Sequence, residues 1–580
     1  MDEWGVYIQV IAENLINWCT RFDPQKPIQF TQFEFWIFLC FIMGSLSLLH
    51  KRVAARNSWI FGISLFFYFK TSGLFFLLLI FSTLTDFFIG KRIFASKAKW
   101  VKTSWLSLSV VLNLGSLVYF KYAYFFTDLH NDLFHTNYEV INWLAVWGNH
   151  FISAPLTGWN IWRTDYIMLP VGVSFFTFQT ISYAVDIYRG RLAPVKRITD
   201  FGFYVSFFPQ LVAGPIVRAA EFVPQLHRPY SISRNLFGLA LFFILNGLLK
   251  KMLLSDFLAG NFVDKVFSLP HQYQGFEIVM ALFAYSLQIY ADFSGYTDIA
   301  IGVALLMGFR LPVNFNSPYK ATSVSDFWKR WHISLSTWLK DYLYIPLGGN
   351  RKATFGTFFW LFVLATVVAA LANYWWLVLW VSLYVGIWWL VGKLKPGIWK
   401  HFVQNINILL TMLIGGLWHG ASWNFLIWGG LNGLGMLVQR QWSRISPYEK
   451  SNLAVVRAWK ILNTFVFISF TRLFFRAGDI RNPNDPLVTA QLLWDRIFLA
   501  QGWKLSFIRA VCEGYVVVFS VFLAGMLIHW ISVKGKRRIR VFFIRLPLWL
   551  QLSISVTSVF VIYQFVVSGG AVQTFVYFQF

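Results

Sequence analysis

The sequence predicts an all-α, polytopic transmembrane helical protein. Three observations carry the prediction: a charge-poor apolar composition, long runs without any charged side chain, and basic residues gathered between the apolar stretches. Of 580 residues, 57% are hydrophobic and only 13% charged, with 63 Phe and 29 Trp. A soluble domain carries about 25% charge, and aromatics at this density suit lipid-facing helices and interfacial belts. Residues 353–392, 402–439 and 546–580 contain no Asp, Glu, Lys or Arg. A spanning helix needs about 20 apolar residues. The first two runs therefore hold two passes each, and the third holds one pass and a tail. The net charge of +25 would suggest nucleic acid in a soluble chain. Here it follows from Lys and Arg collecting in cytoplasmic loops, and no nucleic-acid partner is expected. Cys19, Cys40 and Cys512 have no metal-ligand spacing. The acidic start (Asp2, Glu3) lacks the basic region of a cleavable signal peptide.

The elements follow in order. Residues 1–29 read as a short lead-in, and 30–580 as one transmembrane domain. Phe33–Leu49 is apolar except for Glu34, and Lys51, Arg52 and Arg56 follow. The apolar stretch 59–90 ends at Lys91, Arg92, Lys97, Lys99 and Lys102. Basic loops on both sides make it a two-span hairpin entered from the cytoplasm. A span over 103–120 leads to a loop with Asp128, Asp132, Glu139 and Asp165, read as the outer face. The chain returns through 167–185 to Arg189, Arg191, Lys196 and Arg197. Further spans are expected near 235–249, 278–305, 355–371, 373–391, 403–418, 423–438, 460–472, 514–533 and 547–567. The basic run Lys534–Arg540 is expected as a cytoplasmic loop, and 475–510 as a loop with a surface helix. No period of 20–50 residues marks a repeat array.

Two islands depart from this pattern. Residues 311–351 (LPVNFNSPYKATSVSDFWKRWHISLSTWLKDYLYIPLGGNR) are too polar for lipid and too aromatic for a plain loop. Asn314, Asn316 and Pro318 suit irregular backbone. Ser323 or Ser325 can cap a helix starting near Asp326. That helix would carry Phe327, Trp328, Trp331, Leu335, Trp338, Leu339 and Tyr342 at helical spacing, with Lys329, Arg330, His332, Lys340 and Asp341 interleaved. It is either an amphipathic helix lying on the bilayer or a re-entrant element lining a polar cavity. The second island, 415–424 (GGLWHGASWN), places His419 inside the charge-free run 402–439. A histidine there either bonds a neighbouring helix or acts as a general base. A neutral imidazole is the cheapest titratable group to keep in such a place.

At these residues the chain resembles the membrane-bound O-acyltransferase family, and most of all its branch containing the alginate O-acetyltransferase membrane subunit. The match is carried by 113–126 (NLGSLVYFKYAYFF), 169–190 (LPVGVSFFTFQTISYAVDIYRG), 207–217 (FFPQLVAGPIV), 288–301 (QIYADFSGYTDIAI), 314–351 and 415–430 (GGLWHGASWNFLIWGG), and more weakly by 471–477 (TRLFFRA). It covers residues 30–480. The resemblance implies a tunnel through the membrane in which an acyl group passes to a hydroxyl, with His419 and His332 as the catalytic histidines. Asp292, Ser294 and Tyr296 fall in another family motif, where Asp292 either serves the site or pairs structurally with a cation. The two histidines are 87 residues apart, more than the family pattern. The excess is 353–392, read as an inserted helical hairpin that leaves both histidines on their expected sides. The C-terminal FVYFQF resembles the Phe-Ile-Tyr-x-x-Phe tail of envelope acylation systems. That makes Tyr577 either an acyl relay or an interfacial aromatic anchor.

The working mechanism has an acyl thioester, acetyl-CoA foremost, entering from the cytoplasm as co-substrate, with no bound cofactor. Lys329 and Arg330 attract its phosphates. His419 is the general base, and His332, Asn316 or backbone donors hold position or stabilise the oxyanion. Trp328, Trp418, Asn424 and Asp292 complete the candidate binding residues. The acceptor is expected to be a cell-envelope polysaccharide. Membrane lipids surround the chain, and a periplasmic acetyltransferase is the implied partner. The expected location is the bacterial cytoplasmic (inner) membrane. The rivals are a D-alanyl or lipid acyltransferase of the same fold, a transporter or flippase with broken helices, and a scaffold subunit.

Overall fold

Helices make up most of the described residues, and no strand occurs among them. The computed structural model describes residues 13, 16–24, 26–153, 162–212, 214–478, 485–567, 573 and 575. Among the described residues, seven helical stretches are long and apolar enough to cross a membrane, or eight if Leu505–Gly514 and Val516–Trp530, bent by 82°, form one. Most expected spans reappear as helices, including Phe33–Leu49, Arg234–Leu248, Gly275–Leu306, Pro396–His419, Trp423–Ile445, Ala454–Ala477 and Leu548–Val567.

The expected hairpin at 59–90 is built from Val53–Ser72 and Phe76–Ala95, joined by a short 3₁₀ turn. Both of its ends meet one region of chain. Arg56 donates to the carbonyls of Leu226 and Arg228, and Asn57 to Asp200, while Gly90 packs on Tyr183 and Ile187. Its middle meets Val171, whose N–H and C=O bond Ser72 and Tyr68. A path that leaves one region and comes back to it is a hairpin.

Two expectations need correction. The helix expected to stop at 120 runs on through a π turn, Val118–Tyr122, into Ala123–Phe134. Asp128 and Asp132 therefore sit on a helix rather than a loop. The single helix expected from Asp326 to Tyr342 is broken. Ser323 does cap its start, accepting the Asp326 N–H at 2.9 Å. The helix Val324–Arg330 then stops, His332 takes a left-handed backbone with φ 44°, and Ile333–Leu339 resumes. The freed backbone donors are taken by Asn314, whose carbonyl accepts the Ile333 N–H and whose side chain accepts that of Ser334. With Trp331, Leu335 and Trp338 buried, this is not a helix lying on a bilayer surface. It is a broken element held inside protein, where such backbone is tolerated.

The centre of the molecule is Gly275–Leu306, the most deeply buried of the spanning helices. It crosses Arg234–Leu248 closely because a Cβ on Gly295 or Gly247 would collide with the other helix. At the periphery, Phe355–Leu371 and Trp376–Leu394 form a helical pair around a turn with Asn373 at φ 47°. Trp360, Trp376, Trp380 and Trp389 are exposed on it, as suits a lipid-facing surface.

Candidate active site

The two histidines lie more than 80 residues apart in sequence and meet around one indole. The His332 ring is 6.2 Å from the Trp418 ring, and the His419 ring 4.9 Å from it, centroid to centroid. Both imidazoles are buried, His332 at 0% and His419 at 4% exposure. Phe293, from the central helix, lies edge-on to His332 at 4.7 Å. Trp428 and Phe475 lie against His419 at 5.1 and 5.5 Å.

His332 owes its place to the helix break. Asn314 Oδ1 lies 3.3 Å from His332 Nδ1 and also accepts the Ser334 hydroxyl at 2.8 Å. One side chain thus fixes the imidazole and the backbone beside it.

His419 ends the helix Pro396–His419, and Gly420 follows in extended conformation. The histidine borders two cavities. One is lined by Lys121, residues 169–175, Trp418 and His419. The other is lined by Ile289, Phe327, Trp331, Trp428, Asn432, Arg472 and Phe475 among others, again with His419. The two linings share only His419 among the described residues.

The other candidates divide. Trp418 belongs to the site. Trp328 is half-buried and packs on Trp428, one shell out from His419. Asn316 is exposed, and its peptide N–H bonds the Arg330 carbonyl at 2.9 Å; the asparagine beside His332 is Asn314. Lys329 is exposed, and Arg330 pairs with Asp326 at 2.9 Å. Asp292 is fully buried and bonds Lys251 at 2.6 Å. Asn424 is buried and donates to the carbonyl of Pro486, the first residue of the helix Pro486–Ile497, at 2.9 Å. Tyr577 lies outside the described residues, but Phe575, two positions before it, is buried. Phe575 stacks on Tyr296 at 4.3 Å and lies 6.0 Å from Phe293.

Sequence reasoning missed Asn314 as the partner of His332, and it missed Lys121 and Arg472. Arg472 lines the second cavity and donates to Tyr319 and the Ser286 carbonyl. Lys121 sits in a quoted motif, and a lysine among aromatics in a span is a signal that could have found it.

Comparison with known proteins points the same way. A family model described as MBOAT, membrane-bound O-acyltransferase family, matches residues 197–389, a range that contains His332. The chain is 33% identical to a peptidoglycan O-acetyltransferase of Helicobacter pylori over 479 residues, 77% of each chain. It is 34% identical to a probable alginate O-acetylase of Pseudomonas aeruginosa over 432 residues, 73% of this chain and 66% of the relative. A teichoic acid D-alanyltransferase of Bacillus subtilis is 24% identical over 261 residues, 45% of this chain and 56% of the relative.

Proposed function

Because the chain belongs to the membrane-bound O-acyltransferase family, we propose that this enzyme moves an acetyl group from a cytoplasmic thioester to a hydroxyl of an extracytoplasmic polysaccharide. The observation that carries the reading is His419, buried beside His332 and Trp418 and bordering two cavities with otherwise separate linings. The relatives acetylating alginate and peptidoglycan make a polysaccharide the acceptor of first choice.

In this mechanism His419 takes the proton of the acceptor hydroxyl as its oxygen attacks the thioester carbonyl. The C–O bond forms and the tetrahedral oxyanion collapses. The C–S bond then breaks, and the imidazolium returns its proton to the leaving thiolate. His332, held by Asn314, supports the reacting groups from the other side of Trp418. Acetyl-CoA is the proposed donor, entering from the cytoplasmic side, and the inner membrane the proposed location.

Direct transfer and a relay are both chemically complete. In the relay, the Tyr577 hydroxyl receives the acetyl group as a phenyl ester and yields it to a periplasmic acetyltransferase partner. Burial of Phe575 beside Tyr296 and Phe293 supports this route. Two residues span at most about 7 Å, and Phe293 touches His332.

The test is transfer from labelled acetyl-CoA by purified wild type and variants. His419→Ala that folds like wild type is expected to lose at least about 100-fold in rate; full activity would end this reading. Under the relay, Tyr577→Phe lacks the accepting hydroxyl and is expected to stop both acetyl labelling of the enzyme and delivery of acetyl to polymer. Unchanged delivery would remove the relay and leave direct transfer.

A further inference from the structure

A helix leaves its last carbonyls without partners inside the helix. The usual remedy is a left-handed turn whose backbone N–H groups fold back. Pro396–His419 does not take that turn: Gly420 has φ −163° and ψ 153°, and Ser422, two residues on, already caps the next helix. The terminal carbonyls are instead held from far away in sequence. Tyr122 Oη donates to the Leu417 carbonyl at 2.8 Å. Lys121 Nζ donates to the Trp418 carbonyl at 2.7 Å and to the His419 carbonyl at 3.0 Å.

Both side chains come from the π turn Val118–Tyr122, and such turns inside helices recur at functional sites. The turn interrupts an otherwise continuous helical stretch, Lys99–Phe134. Lys121 has a second relation to the histidine, because it lines the same cavity as Trp418 and His419.

We propose that Lys121 and Tyr122 are positioning residues of the acyl transfer: by holding the three terminal carbonyls of Pro396–His419, they set the angle at which His419 faces the cavity that Lys121 also lines. This rests on the proposed function, in which His419 is the base. A ring at the frayed end of a helix would swing, and a misplacement of about 1 Å costs about 100-fold in rate. Two side chains gripping successive carbonyls remove that freedom without touching the imidazole.

The test compares Lys121→Met, Lys121→Arg and Tyr122→Phe with wild type and His419→Ala, using labelled acetyl-CoA. Turnover is expressed per donor-binding site, counted with the non-cleavable thioether analogue of acetyl-CoA, so that lost protein is not read as lost catalysis. Lys121→Met is expected to lose at least about tenfold in turnover with an unchanged KM for acetyl-CoA. Lys121→Arg, which keeps several N–H donors, should recover to within about threefold of wild type. Tyr122→Phe removes only the hydroxyl and should cost about threefold or more; it carries the test if Lys121→Met does not fold. Wild-type turnover in Lys121→Met and Tyr122→Phe, a loss confined to KM, or an arginine variant no better than the methionine one would overturn the proposal. Inactive wild type, or His419→Ala as active as wild type, would instead overturn the reading beneath it.

Discussion

Asn314 decides the conformation of His332. A non-glycine residue at φ 44° costs about 1–3 kcal/mol and persists only where its surroundings over-determine it. Here Asn314 supplies that constraint through its carbonyl and its side chain. Asn314→Ala strands buried donors and should cost about 1–3 kcal/mol, read as a lower melting temperature in detergent together with reduced turnover. The backbone conformation can be tested apart from the ring. His332→Gly should melt higher than His332→Ala, because glycine enters the left-handed region freely, while both lack the imidazole. Equal melting temperatures would show that the conformation at 332 carries no strain. The sequence singled out His332 and named Asn316 beside it. The two asparagines are indistinguishable by residue type, and only the fold brings the first inward and turns the second out.

The helices Pro396–His419 and Trp423–Ile445 form the element that presents His419. They pack at backbone contact, because a Cβ on Gly416 would lie 2.3 Å from the Phe425 carbonyl oxygen, and one on Gly429 would lie 2.3 Å from that of Met412. Small residues at such crossings let helices approach where lipid provides no hydrophobic drive. Gly429→Ala should therefore push the pair apart, lowering melting temperature and turnover together. At Gly430 the added methyl meets only the end of the Leu413 side chain at 3.2 Å, so Gly430→Ala should remain close to wild type in both measurements. The charge-free run made this helix pair legible in the sequence, since hydropathy is a property of each segment alone. The break at His332 was not legible. The aromatic spacing from Phe327 to Tyr342 is continuous, and the competing hydrogen bonds come from Asn314, outside that segment.

Across the whole molecule, a buried ion cluster joins the central helices to the C-terminal tail. Lys251 bonds Asp256 at 2.7 Å and Asp292 at 2.6 Å, all three nearly inaccessible. The Gln573 N–H lies 3.4 Å from Asp256 Oδ2, and Phe575 is buried nearby on Tyr296. Removing the cation leaves two carboxylates in the interior. Lys251→Met should cost about 3–5 kcal/mol, seen as a large drop in melting temperature and membrane yield. A variant with wild-type melting would mean the cluster is not needed for the fold. The sequence left Asp292 open between site and structure; its bond to Lys251 accounts for its burial.

The sequence by itself determined the class of protein, the places of most of its apolar helices and the two histidines worth watching. Apolar runs, basic loops and a lone imidazole among uncharged residues are each read within a few tens of positions. Tertiary structure alone decided what those histidines share and what holds them. Trp418 touches both rings, Asn314 fixes one, and Lys121 reaches across 298 positions to the carbonyl of the other. Hydrogen bonds and ring contacts are satisfied in space, so a local pattern records that a polar group needs a partner but not which distant residue supplies it.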